Sequence, residues 1–163
     1  MSGRPGLVRK SIWQTFSRLV SIPAVSRVAM RVASAVDRPL LKLSGGRVRL
    51  SFVIPCLLLR VRGARSGLIR EVPLLYVPDG EDVLLVGSGG GARREPAWSL
   101  NLRANPDVTT LRSGQEETRR AEVLQGADRE QAWRLAVDVY PGFARYQARL
   151  EREIPVFRLS RAA

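Results

Sequence analysis

The run Gly87-Ser88-Gly89-Gly90-Gly91 constrains this chain more than any other segment. It follows an apolar stretch, Val83-Leu84-Leu85-Val86, and leads into Pro96-Ala97-Trp98-Ser99-Leu100-Asn101-Leu102-Arg103-Ala104-Asn105-Pro106. The order is strand, glycine loop, short helix. Residues without bulky side chains leave backbone N–H groups open to an anion. Pro96 stands where the first turn of a helix tolerates a missing N–H. Trp98, Asn101 and Arg103 then set an aromatic surface beside polar donors. Such a segment is suited to a flat, phosphorylated ring system. Taken alone it equally suits a plain connecting loop before a helix whose Trp98 is core, because a glycine run by itself separates the two readings poorly.

What the chain lacks narrows its chemistry. It contains no histidine, so Ser-His-Asp and Cys-His arrangements are closed to it, as is the usual imidazole route to acid–base work near neutral pH. The single cysteine, Cys56, excludes an internal disulfide. With no histidine and one cysteine, ordinary zinc sites cannot be built within one chain, and no metal ligands are assigned. The only lysines, Lys10 and Lys42, lie in the N-terminal part, which argues against a Schiff-base lysine in the core. An enzyme built from these residues needs a bound cofactor to carry the difficult chemistry.

Charge divides the chain. Residues 1–50 hold ten Lys/Arg against Asp37 alone, giving +9 of the total +12. Within residues 7–36, Leu7, Val8, Ile12, Phe16, Leu19 and Val20 recur at helical spacing, with Arg and Lys between them. No apolar run reaches a membrane-spanning length, and the recurring cations leave no clean secretory core. Two readings stand for this segment. A basic amphipathic helix suits an anionic membrane surface, such as the inner face of the plasma membrane for a cytoplasmic protein; it equally suits packing on the rest of the protein. Flotation on anionic vesicles with and without residues 1–45 separates them, because equal partitioning removes the membrane reading. The sequence predicts a helical segment over 1–45 and a folded domain over 46–163, joined at Gly45-Gly46.

Within that domain the patterning predicts several short strands and interposed helices. Val48 to Ile54 reads as an extra strand or an extended approach, Leu57 to Val61 as a buried strand and Gly63 to Gly67 as a turn. Glu71 to Val77 follows, with Pro73 pointing to an edge or a bulge. Asp79-Gly80 makes a hairpin turn into Val83 to Val86. After the helix over 96–104 come strands at Val108 to Leu111 and Thr118 to Leu124. Helices follow over Ala127 to Val139 and Phe143 to Glu151, then a last strand from Ile154 to Leu159. The sum is an α+β fold, a small mixed barrel.

Four blocks in this order resemble the deazaflavin-dependent nitroreductase family: Gly63-Ala64-Arg65-Ser66-Gly67; Pro73-Leu74-Leu75-Tyr76; Ser88 to Gly91 with Pro96 to Pro106; and Tyr140-Pro141-Gly142-Phe143 with Tyr146 and Ile154-Pro155-Val156-Phe157. The resemblance covers roughly residues 56 to 159. It implies a split β-barrel of the FMN-binding kind, coenzyme F420 as cofactor with FMN as the alternative, and hydride transfer to a hydrophobic acceptor such as a quinone or nitro compound. It also implies that Gly63, Arg65, Ser66 and Gly67 face the phosphate side of the cofactor. Ser88, Gly89, Gly90, Gly91, Pro96, Ala97 and Trp98 would flank the ring or its ribityl chain. Asn101 would make a polar contact or brace the helix, and Tyr140 and Tyr146 would be the catalytic candidates beside the acceptor. The chain departs from the family pattern at Ala64 and Gly89, where Arg and Lys are usual, and at Phe143 and Leu75, where Tyr occurs. The rival functions are a cofactor- or lipid-carrying barrel without turnover and a nucleic-acid binder. The basic charge favours the last, but its confinement to an amphipathic segment and the lack of a nucleic-acid motif count against it. Nothing in the sequence sets the oligomeric state.

Overall fold

The computed structural model describes residues 55–162. The expected amphipathic segment over 7–36, the linker at Gly45-Gly46 and the extended run over 48–54 lie outside the described residues. Seven strands form one antiparallel sheet: β1 (Cys56–Arg62), β2 (Ile69–Leu75), β3 (Val77–Asp79), β4 (Asp82–Val86), β5 (Asp107–Arg112), β6 (Gln115–Val123) and β7 (Val156–Arg161). Their order across the sheet is β2-β1-β5-β6-β7-β4-β3. Three helices are interposed: α1 (Ala97–Ala104), α2 (Gly126–Val139) and α3 (Gly142–Gln147).

The run expected as one strand over 71–77 is divided at Tyr76. Before it the chain pairs with β1, Leu75 opposite Cys56; after it the chain pairs with β4, Val77 opposite Leu84. One stretch of backbone thus serves both edges of the sheet, which curls the sheet into a barrel. Tyr76 donates its N–H to the Pro55 carbonyl at 3.0 Å, anchoring the crossing. Pro73 falls on the edge strand, opposite Leu58, where a missing N–H breaks no ladder.

Alternation along the strands makes two apolar layers. Leu57, Leu59 and Val61 of β1, Val83 and Leu85 of β4, and Phe157 and Leu159 of β7 fill the barrel interior together with Val108, Trp98 and Leu102. On the outer face Val77, Leu84, Val86 and Val156 pack against Ala132 and Ala136 of α2 and Phe143 and Tyr146 of α3. Helix α3 ends at Gln147, earlier than the expected Glu151. The Gln147 side chain turns the chain back, accepting the Ile154 N–H at 2.8 Å and donating to the Arg152 carbonyl at 3.0 Å.

Among the described residues, one fully buried side chain is charged. Along β6 the inward residues are Glu117, Arg119, Ala121 and Val123, and Arg119 is fully buried. Its guanidinium donates to Glu117 through Nε at 3.0 Å and Nη2 at 2.5 Å. Its Nη1 donates to the carbonyls of Leu159 at 2.8 Å and Glu81 at 3.0 Å. Every guanidinium nitrogen has an acceptor, the condition under which a buried guanidinium is tolerated.

Candidate functional site

The glycine loop starts where β4 stops. Val86 is the last residue paired with β7, opposite Val156, and Gly87 continues the approach by donating its N–H to the Pro155 carbonyl at 2.8 Å. A Cβ on Gly87 would lie 2.7 Å from Pro155 Cγ, so only glycine allows this contact. Gly89, Gly90 and Gly91 then adopt φ of 58°, 66° and 78° in succession. Three consecutive left-handed residues cost an L-residue chain several kcal/mol, at about 1–2 each, so the loop shape requires the glycine run. The fold is closed by Gly91 N–H donating to the Ser88 carbonyl at 3.0 Å, with Ser88 buried.

Helix α1 joins this loop to the turn after β1. Pro96 is its N-cap, one position earlier than a first-turn residue. Trp98 and Leu102 point into the barrel, and Trp98, 9% exposed, sits 5.8 Å from the Phe157 ring. Asn101 Oδ1 accepts the Ala64 N–H at 3.0 Å, and Asn105 Nδ2 donates to the Arg62 carbonyl at 3.2 Å. The turn carries its own bonds, Gly67 N–H to the Gly63 carbonyl at 2.9 Å and Gly63 N–H to the Leu68 carbonyl at 2.8 Å. Ala97 and Asn101 are separated by about 6 Å of helix rise, so the glycine loop and the 63–67 turn are held close to one another by a single rigid element. Arg65, Ser66 and Gly67 are exposed on that turn.

A second clamp fixes the join of loop and helix. Glu95 accepts from the Ser99 hydroxyl and from Arg103 Nε at 3.1 Å, and the Arg103 guanidinium lies 5.5 Å from the Phe157 ring centroid. Arg103 is therefore engaged within the protein.

Tyr140 and Tyr146 lie behind the loop. Both are buried, their hydroxyls are 3.1 Å apart, and a Cβ on Gly91 would meet Tyr146 Cδ1 at 2.9 Å. Burial, then the bond to Tyr146, push the Tyr140 hydroxyl above the ordinary tyrosine value of 10.0. The Tyr146→Phe substitution leaves the Tyr140 hydroxyl buried without its partner, and we expect a loss of about 1–2 kcal/mol. Replacing both tyrosines with phenylalanine removes both polar atoms and should recover most of that loss. Chemical denaturation of the three proteins checks the order, and a double variant less stable than the single one contradicts it.

The structure thus brings Gly63, Arg65, Ser66, Gly67 and Asn101 together at one end of α1. It places Ser88, Gly89, Gly90, Gly91, Pro96 and Ala97 at the other, with Trp98 turned inward and the tyrosine pair beneath. Two residues escape a reading of the sequence. Glu95 lies between a loop and a proline and carries no motif. Arg152 stands between Glu151 and Glu153, which look like its partners, yet its hydrogen bonds run instead to the carbonyls of the glycine loop. The strand register is the one available signal: pairing Val86 with Val156 brings residues 152–155 alongside 87–90.

The chain and its fold have relatives among known proteins. The family model described as F420H(2)-dependent quinone reductase matches residues 31–160, most of the chain. An F420H(2)-dependent quinone reductase of Mycobacterium tuberculosis is 35% identical over 123 residues, 72% of this chain and 83% of the relative. Among solved structures, an F420-H2 dependent reductase, FDR-A, is 39% identical with a TM-score of 0.61, covering 65% of this chain and 94% of that one. A chain described as a domain-swapped dimer is 34% identical with a TM-score of 0.64, covering 77% and 96%. The curled antiparallel sheet is the split barrel of these reductases.

Proposed function

The chain belongs to the F420H(2)-dependent quinone reductase family, and on that premise we propose that the glycine loop, α1 and the 63–67 turn together seat its cofactor. The protein is an oxidoreductase whose cofactor is coenzyme F420 and whose acceptor is of the quinone class. When bound, the reduced deazaflavin supplies the hydride. Nitro compounds are the second acceptor class proposed.

One observation carries the assignment of the seat: three successive glycines at positive φ open onto the N-terminal end of a helix that also grips the 63–67 turn through Asn101. Loop N–H groups and the end of α1 favour anionic or electron-rich oxygens. Arg65, exposed on the turn, supplies a cation for the phosphate side although Ala64 and Gly89 carry none. Pro96 and Ala97 border the ring, and Trp98 forms the floor from inside the barrel.

The protein's own part in the reaction is orientation, exclusion of water and proton retention. Tyr140 holds its proton at Oη throughout the neutral range, since burial raises it further above 10.0. It is therefore no base. We propose that the Tyr140–Tyr146 pair backs the acceptor side of the seat and that solvent delivers the proton to the product. Leu68, Ile69 and Leu100 are large apolar side chains exposed on the two elements that meet at the Asn101–Ala64 bond. They offer an apolar lip to a hydrophobic acceptor.

Titration with oxidised F420 and with FMN, followed by oxidation of F420H2 as menadione is added, tests this reading. Saturable F420 binding and menadione-dependent oxidation are expected. Binding of FMN alone would overturn it.

A further inference from the structure

We propose that Arg152 is a positioning residue for the cofactor: it sets the direction of the glycine loop's N–H groups by gathering the loop's carbonyls on its opposite side. The proposal rests on the reading that this loop seats F420.

The contacts are specific. Arg152 Nε donates to the Arg93 carbonyl at 3.0 Å. Its Nη2 donates to the carbonyls of Ala92 at 2.9 Å, Ser88 at 3.3 Å and Gly87 at 3.4 Å. Its Nη1 also reaches Gly87 O, at 3.4 Å. These carbonyls come from both ends of the loop. None of these bonds goes to a carboxylate, so the guanidinium keeps its charge for the backbone dipoles.

Peptide geometry supplies the consequence. In a trans peptide the C=O of one residue and the N–H of the next point in opposite directions. Drawing the carbonyls of Ser88, Ala92 and Arg93 toward Arg152 turns the N–H groups of Gly89, Arg93 and Arg94 away from it. Among the described residues, no backbone carbonyl accepts from those three N–H groups. The two ends of the loop are also close together, since a Cβ on Gly89 would lie 3.9 Å from the Arg94 carbonyl oxygen. Arg152 therefore shapes a cluster of N–H donors for anionic or carbonyl oxygens of the cofactor while itself standing behind the loop. Only a planar fork with five donors can hold this many carbonyls, so lysine is not an equivalent.

Arg152→Met and Arg152→Lys test the proposal in the full-length protein. Three readouts serve: the Kd for oxidised F420, the KM and kcat with F420H2, and hydrogen exchange of amides 87–94 without cofactor. We expect Arg152→Met to weaken F420 binding by roughly tenfold or more, the scale of one or two charge-assisted hydrogen bonds. The Lys variant should fall between Met and wild type. KM should rise with Kd while kcat at saturation stays within about threefold, because uniform binding is what is lost. Exchange in 87–94 should quicken in both variants and stay unchanged elsewhere. Unchanged exchange in that loop overturns the proposal, and so does an unchanged Kd, even where the melting temperature falls. If wild type binds no F420, the reading of the seat fails, while the exchange data still decide whether Arg152 orders the loop.

Discussion

Arg119→Met is expected to cost about 3 kcal/mol of stability, whereas Arg120→Met, one residue on, costs under about 0.5 kcal/mol. The two arginines differ in where the strand points them. Arg119 is fully buried on the inward face of β6, bonded to Glu117 and to two carbonyls. Arg120 faces solvent and pairs with Asp107 at 2.7 Å, their side chains 65% and 68% exposed. Removing one partner of a buried ion pair costs about 3–5 kcal/mol because the other is left uncompensated. The lower end applies here, since Glu117 is 17% exposed and retains Arg161 at 3.3 Å.

The same substitution should change the acid limb of stability. The bond from Arg119 holds the Glu117 carboxyl below its ordinary value of 4.5. A carboxyl lowered on folding contributes stability that is present above its unfolded pKa and lost as pH falls through the folded one. The gap between wild type and Arg119→Met should therefore narrow below about pH 4. Denaturation at pH 7 and pH 3.5 measures both effects; equal losses for the two arginine variants at pH 7 would contradict the account.

Gly91→Ala is the second large effect. Gly91 has φ of 78°, which costs an L-residue about 1–2 kcal/mol, and the added Cβ would lie 2.9 Å from Tyr146 Cδ1. The ring sits in the outer core layer, so displacing it adds overpacking of about 1–3 kcal/mol. A total of about 2–5 kcal/mol is expected, with F420 binding weakened by a hundredfold or so if the loop shifts by a few tenths of an ångström. Gly67→Ala isolates the strain alone: its φ is 67° and nothing lies within 4 Å of a Cβ there. About 1 kcal/mol is expected for it. Melting curves and F420 titrations of both variants check the contrast, and a Gly91→Ala protein with wild-type affinity would place the cofactor elsewhere.

Much of the fold is legible in the sequence because single strands and helices are written locally. The glycine loop, Pro96 and Asn105-Pro106 bound α1 to within a residue, and Asp79-Gly80 marks a hairpin the structure contains. What the sequence leaves out is set by distant contacts. The run 71–77 is one strand by composition, and its division at Tyr76 exists only because the sheet closes. Arg119 looks like its neighbour Arg120 until alternation with Ala121 and Val123 fixes which one faces inward. Helix α3 stops at Gln147 through bonds to residues 152 and 154, which helical periodicity does not encode. At the candidate site, the sequence leaves Asn101 open between a polar contact and a brace, and its side-chain oxygen is engaged by Ala64. Arg152 reaches the loop through backbone carbonyls alone, and carbonyls leave no trace in a sequence.

The most direct test of the central claim is hydrogen exchange of the full-length protein with and without oxidised F420. The seat formed by the glycine loop, α1 and the 63–67 turn predicts slowed exchange in residues 87–95 and in 63–67 together, with the strands β5 and β6 unchanged. Saturating F420 that slows exchange in neither segment, while protecting another part of the barrel, would contradict it.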